Sequence, residues 1–130
     1  MTEIYIDFTI SSKKDTLICD LNKLTNLRPY KTRKIGDKLG SGRIIEENEW
    51  IYYTEKIKSQ YLENATEIFC NILEVFKNEL SEYIKQNNCE VSICFVLSLD
   101  IFNYSIFMNQ RFINLSSLLC ASIDFDIYEK

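Results

Sequence analysis

Ile4, Ile6, Phe8 and Ile10 alternate with Tyr5, Asp7 and Thr9 near the start of the chain. A repeat of two sends successive side chains to opposite faces of a strand, so this segment predicts a half-buried β-strand. Ser12 stands three residues before Asp15, which suggests a capping box, and Leu17, Ile18, Leu21 and Leu24 follow at helical spacing. Proline disfavours helical geometry in the residue before it, so Arg28 followed by Pro29 is expected to stop that helix. Residues 49–57 (EWIYYTEKI) are rich in aromatic side chains and predict a second strand.

From about residue 59 to 86 the pattern predicts one long helix. Leu62, Ala65, Phe69, Ile72, Leu73, Phe76, Leu80, Tyr83 and Ile84 recur every three or four residues, opposite Glu63, Glu67, Asn71, Glu74, Asn78 and Glu82. After Asn87 and Asn88, the residues Val91, Ile93, Phe95, Leu97 and Leu99 take one face of a further strand, with Ser92, Cys94 and Ser98 on the other. Residues 100–103 suit a hairpin into a strand over 104–108, and Phe112, Leu115 and Leu119 mark a short helix over 111–120. Ile123, Phe125 and Ile127 alternate with Asp124, Asp126 and Tyr128 in a last strand. The order βαβαββαβ, with strands apolar on one face, predicts an α+β fold in a single domain over residues 1–130. Its single antiparallel or mixed sheet is covered by helices on one face, as a ferredoxin-like variant.

Composition changes little in that picture but narrows the chemistry. A chain of 130 residues, 46% hydrophobic and 26% charged, suits a soluble globular protein. No run approaches the roughly 18 apolar residues that a membrane helix needs. The opening MTEIYIDFTI, with an early glutamate and no basic region, does not read as a signal peptide, so a cytoplasmic location is expected. The five cysteines form no C-x-x-C pair and sit in apolar segments, as reduced packing thiols do. There is no histidine. Its absence excludes Ser-His and Cys-His hydrolases and most zinc sites, so a non-enzyme with no cofactor or metal is expected.

Charge singles out residues 28–43, RPYKTRKIGDKLGSGR. Arg28, Lys31, Arg33, Lys34, Lys38 and Arg43 face a single acid, Asp37, a net +5 on a chain whose total is −4. Such a loop could hold phosphate or an acidic protein surface, and Trp50, with Tyr52 and Tyr53 just beyond it, could stack on a ligand or anchor an interface. The plainer alternatives are a solvated loop and a tryptophan packed in the core. Gly36, Gly40 and Gly42 form G-x-x-x-G-x-G, which is neither a Walker loop nor a dinucleotide fingerprint. The acidic remainder would repel nucleic acid, which is therefore disfavoured as a partner. A second candidate is Asp7, Asp124 and Asp126, which share outward strand positions with Tyr5 and Tyr128. If the first and last strands are neighbours, these carboxylates converge and suit a divalent cation or acid–base work. The plainer alternative is the solvated side of a one-sided sheet.

A strand and short helix, then LRPYKTRKIGDK leading to an isolated tryptophan, a long helix, a strand hairpin and a terminal SIDFDIY resemble the bacterial family called domain of unknown function 4279. The positions that carry the likeness are Pro29, Lys34, Gly36 and Asp37, with Ile35 between lysine and glycine, then Trp50 and residues 123–128. The resemblance brings no catalytic residues with it, and implies a small accessory protein of the kind found beside toxins. The leading expectation is a non-catalytic, immunity-type inhibitor that contacts a toxin or effector protein. The alternative is a binder of nucleotides or other phosphate-bearing ligands through residues 28–43. Dimerisation stays open.

Overall fold

A computed structural model describes residues 2–100 and 104–130. Its elements are β1 (Glu3–Ser12), α1 (Leu17–Thr25), β2 (Lys31–Arg33), β3 (Asn48–Tyr53), β4 (Ile57–Lys58), α2 (Leu62–Leu73), α3 (Lys77–Gln86), β5 (Glu90–Leu99), α4 (Gln110–Leu118) and β6 (Ala121–Glu129). The fold is α+β, with one mixed sheet of strand order β2-β3-β1-β5-β6. β4 pairs with β1 beyond the end of β3. β1 runs antiparallel to both β3 and β5, and β6 runs parallel to β5.

The alternation in β1 decides which face the helices cover. Ile4, Ile6, Phe8 and Ile10 are fully buried, and each burial contributes about 1.5–3 kcal/mol. The register sets Ile6 beside Phe95, Phe8 beside Ile93 and Tyr52, and Ile10 beside Val91 and Trp50. The helices place Leu17, Leu21, Phe69, Leu73, Leu80 and Phe112 on this surface. Ring contacts run through the core from Trp50 to Phe8, Phe69, Phe112, Phe95 and Phe125, with centroids 5.1–6.2 Å apart. They join β3, β1, α2, α4, β5 and β6.

Several local expectations change. Ser12 caps no helix: it is the buried last residue of β1, and its hydroxyl accepts the Lys14 N–H. α1 ends on Asn26, in the left-handed conformation at φ 55°, three residues ahead of Pro29. The long helix is two. Phe76 lies outside helical geometry (φ −129°) between α2 and α3, and the bend leaves Val75 81% exposed while Leu73 and Phe76 stay buried. Residues 104–108 form no strand but lead into α4, whose N-cap Asn109 accepts the Phe112 N–H at 3.0 Å. The expected hairpin at 100–103 falls largely outside the described residues. β5, α4 and β6 thus form a βαβ unit between adjacent strands, not the split unit of a ferredoxin-like sheet. The observed order is βαβββααβαβ.

α1 and α3 are tied together through Asp20. Its carboxylate accepts the Tyr83 hydroxyl at 2.8 Å and the Thr16 hydroxyl at 2.8 Å, and Lys14 Nζ stands 3.4 Å away. Partial burial pushes the Asp20 carboxyl up, but these three donors outweigh it and hold it below the usual carboxylate range. A depressed carboxyl adds stability above its unfolded value of about 3.9 and loses it as the pH falls through the folded value. Tyr83→Phe is therefore expected to lower the unfolding free energy by about 0.5–1.5 kcal/mol at pH 7. That difference should shrink below about pH 4, in urea titrations repeated across pH.

Candidate functional site

Because β1 buries its even-numbered residues under the helices, its odd-numbered residues face a side of the sheet that carries no helix. The register across this side is explicit. Tyr53, Asp7, Cys94 and Asp124 form one row over β3, β1, β5 and β6. Tyr5, Val96 and Asp126 form the next, and Lys31, Ile51, Thr9 and Ser92 a third.

Three tyrosines cluster at the centre left of this face. Tyr30 stacks on Tyr53 with centroids 4.1 Å apart, and Tyr53 meets Tyr5 at 5.0 Å. The turn into β2 brings Tyr30 there, since its N–H bonds to Ile51 O at 2.8 Å. With Thr54 and Lys56 they line a shallow depression of about 270 Å³, and Lys56 Nζ lies 5.7 Å from the Tyr5 ring centre. Partial burial, reinforced by the Asp7 charge, raises the hydroxyl pKa of both Tyr5 and Tyr53. Both remain neutral donors at physiological pH.

Asp7 sits in the middle of the face. Burial pushes its carboxyl up, against the Thr9 hydroxyl that donates at 2.8 Å and the more distant Arg33. Arg33 itself pairs with Glu49 at 3.2 Å, and its Nε, shielded from solvent, has no acceptor. Cys94 stands between Asp7 and Asp124, where burial and then the neighbouring carboxylates push its thiol up to about 11. Asp124 Oδ1 accepts the Phe125 N–H at 2.9 Å, and Asp126 accepts the Tyr128 hydroxyl at 2.7 Å.

The expected acidic convergence is corrected by this register. β5 separates β1 from β6, so the backbones at Asp7 and Asp124 are roughly 9.5 Å apart, two interstrand spacings, with Cys94 between them. Among the described residues no group of three or more carboxylates or cysteines is arranged to hold a metal ion.

The basic stretch is not an open loop. Lys31 and Arg33 belong to β2, and residues 36–45 fold into a small arm with a Lys38–Ile44 bridge and a Leu39–Gly42 turn. Gly36 and Gly42 take φ of 95° and 90° there, which explains glycine at those two positions. Asp37 is the turn's internal clamp: its carboxylate accepts the Lys34 N–H at 2.8 Å. The cations diverge. Lys31 and Arg33 flank the tyrosine face, Lys34 lines a depression with Asp15 and Lys23, and Arg43 lines another with Glu46, Glu47 and Glu90. Arg28 and Lys38 are exposed.

Trp50 does not face a partner. It is fully buried, edge-on to Phe8, with Nε1 donating to Asn22 Oδ1 at 2.9 Å. Arg111, which no sequence signal marked, grips the end of α2 through both Glu74 carboxylate oxygens and through Asn71. The tyrosine cluster had two signals in the sequence, the outward phase of Tyr5 and the place of Tyr53 in the aromatic strand after the glycines. Their union with Tyr30 depends on register alone.

Trp50→Ala is expected to cost about 3–5 kcal/mol of folding free energy in chemical denaturation. Its effect on any binding should follow the folded fraction only. Cys94, with its thiol at about 11, should be about one part in a thousand thiolate at pH 8. Site-resolved alkylation with iodoacetamide should therefore modify it slowly at pH 8 and accelerate with each pH unit toward 11.

No helix among the described residues is long and apolar enough to cross a membrane. No curated protein and no solved structure matches the chain. The model of one protein family, described as "Domain of unknown function (DUF4279)", matches residues 2–130. With that match spanning nearly every residue, and with the sheet, the buried Trp50 and the terminal β6 all inside it, the chain belongs to the DUF4279 family.

Proposed function

We propose that this domain is a non-catalytic protein-binding module, of the immunity-inhibitor type, and that it meets its partner with the helix-free face of its sheet. The observation that carries this reading is the tyrosine cluster of Tyr5, Tyr30 and Tyr53, set between Lys31 and Arg33 on one side and Asp7 on the other. Tyrosine gives a partner large, rigid contact area at low entropic cost and keeps a hydroxyl for hydrogen bonding. Charged groups of both signs around it favour a partner with a complementary pattern and speed its encounter.

The alternative, a phosphate-bearing ligand held by residues 28–43, has less behind it. Phosphate recognition needs several cations or backbone N–H groups aimed at one point. Here Lys34 and Arg43 line separate depressions, each shared with acids, while Arg33 is engaged by Glu49.

The test is calorimetric titration against the proteins encoded beside its gene, the setting in which an inhibitor and its toxin occur. A stoichiometric complex is expected, and Tyr53→Ala should weaken it by about 2 kcal/mol or more, roughly 30-fold, without loss of folding. A reading without support would show itself twice over: no neighbour binds, while nucleotides or phosphosugars raise the melting temperature. Ligand at 100 times its dissociation constant would stabilise by about 2.7 kcal/mol.

A further inference from the structure

The two edges of the sheet are unlike. β2 is three residues long and carries Lys31 and Arg33, a short cationic edge of the kind that resists further pairing. β6 is nine residues long, pairs only with β5, and contains neither lysine nor proline. Its residues are half-buried at most: Ile123 is 37% and Ile127 50% exposed on the helix-covered side. On the other side stand Asp124, Asp126 and Tyr128. No cation among the described residues lies in salt-bridge range of Asp124 or Asp126. Asp124 accepts the Phe125 N–H and Asp126 the Tyr128 hydroxyl, one local donor each, which leaves acceptor sites on both carboxylates.

A second copy of the chain suits this edge poorly. Antiparallel self-pairing in the fully overlapping register, centred on Phe125, sets Asp124 opposite Asp126 of the other copy twice over. Like charges directly opposite one another destabilise a strand pair. A strand with basic residues at those positions meets the reverse situation, with backbone hydrogen bonds along the edge, ion pairs on one face and apolar cover for Ile123 and Ile127 on the other.

We propose that β6 is a docking edge for an extended, basic segment of the partner protein, which adds to the sheet as a further strand with lysine or arginine opposite Asp124 and Asp126. This rests on the protein-binding reading above and names the partner's chemistry. The partner presents alternating basic and apolar residues, and the tyrosine cluster two strands away receives the rest of it.

The probe is a synthetic peptide alternating lysine with valine, compared with one alternating glutamate with valine. The lysine peptide should slow hydrogen exchange at amides of β6, with affinity that falls as salt rises. Asp124→Asn with Asp126→Asn should weaken it roughly tenfold, two exposed ion pairs' worth. Equal binding of the glutamate peptide, or protection elsewhere on the sheet, would overturn the inference. So would sedimentation as a dimer with the β6 amides protected before any peptide is added. Failure here with an intact, Tyr53-dependent complex in the calorimetric test removes the docking edge alone. Failure of both removes the protein-binding reading as well.

Discussion

The whole architecture depends on the phase of one strand. β1 lies at the centre of the sheet, hydrogen-bonded to β5 along one edge and to β3 and then β4 along the other. Where β3 ends, Thr54 continues the pairing by donating its N–H to Ile6 O and accepting the Ile6 N–H on its hydroxyl. With both edges fixed, the register of β1 cannot move alone. A slip of one residue would carry Tyr5, Asp7 and Thr9 under the helices and turn four buried apolar side chains to water. Burying Asp7 without a partner is costly enough to exclude that arrangement. The strand therefore settles at once where the helices lie and which side of the sheet carries none.

Those elements whose own residues carry a period were legible in the sequence. β1, β5 and β6 alternate over nine or ten residues, and each was recognisable without knowledge of its neighbours. β2 was not, because three polar residues on an exposed edge have no burial pattern to display; its pairing comes from Ile51 across the chain. The bend between α2 and α3 was hidden for a different reason. Both helices bury residues in the same layer over one sheet, so the apolar stripe survives the change of direction. Val75 was the available clue, an apolar residue off the stripe that the bend leaves in solvent. Isoleucine and phenylalanine at 106 and 107 misled in the opposite sense, since both are exposed in a segment with no strand pairing.

Site residues were less legible than the fold. Net charge along a segment says nothing about direction, and a strand followed by a hairpin arm sends neighbouring cations to different surfaces. Four of the six cations of residues 28–43 thus fall in three separate places, and the segment's acid, Asp37, is spent on holding the turn from Lys34 at the arm's base. Trp50 looked like a ligand platform from its position after the glycines, but the even phase that it shares with Asn48 and Tyr52 put it on the covered side. The tyrosines required three separate segments to be placed together. Only Tyr5, outward in a strand of known phase, could be assigned its face beforehand.

The same phase rule links the open face to the open edge. Every outward residue of β6 lies in a row that begins at β1: Asp124 beyond Asp7 and Cys94, Asp126 beyond Tyr5 and Val96. Negative charge therefore accumulates toward β6 while Lys31 and Arg33 hold the β2 end, giving the helix-free face a polarity along the strand order. The raised thiol of Cys94 is a local reading of that field, with partial burial as its larger cause and Asp124, Asp7 and Asp126 adding to it. A sheet with such polarity has one short cationic edge and one long acidic edge. Its acids oppose addition of an identical strand at β6, and although Asp124 holds the Phe125 N–H, no strand among the described residues pairs with the outer side of β6. On the proposed docking, opposition to an identical strand and attraction to a basic one have the same physical origin, two aspartates in the outward phase of a single strand.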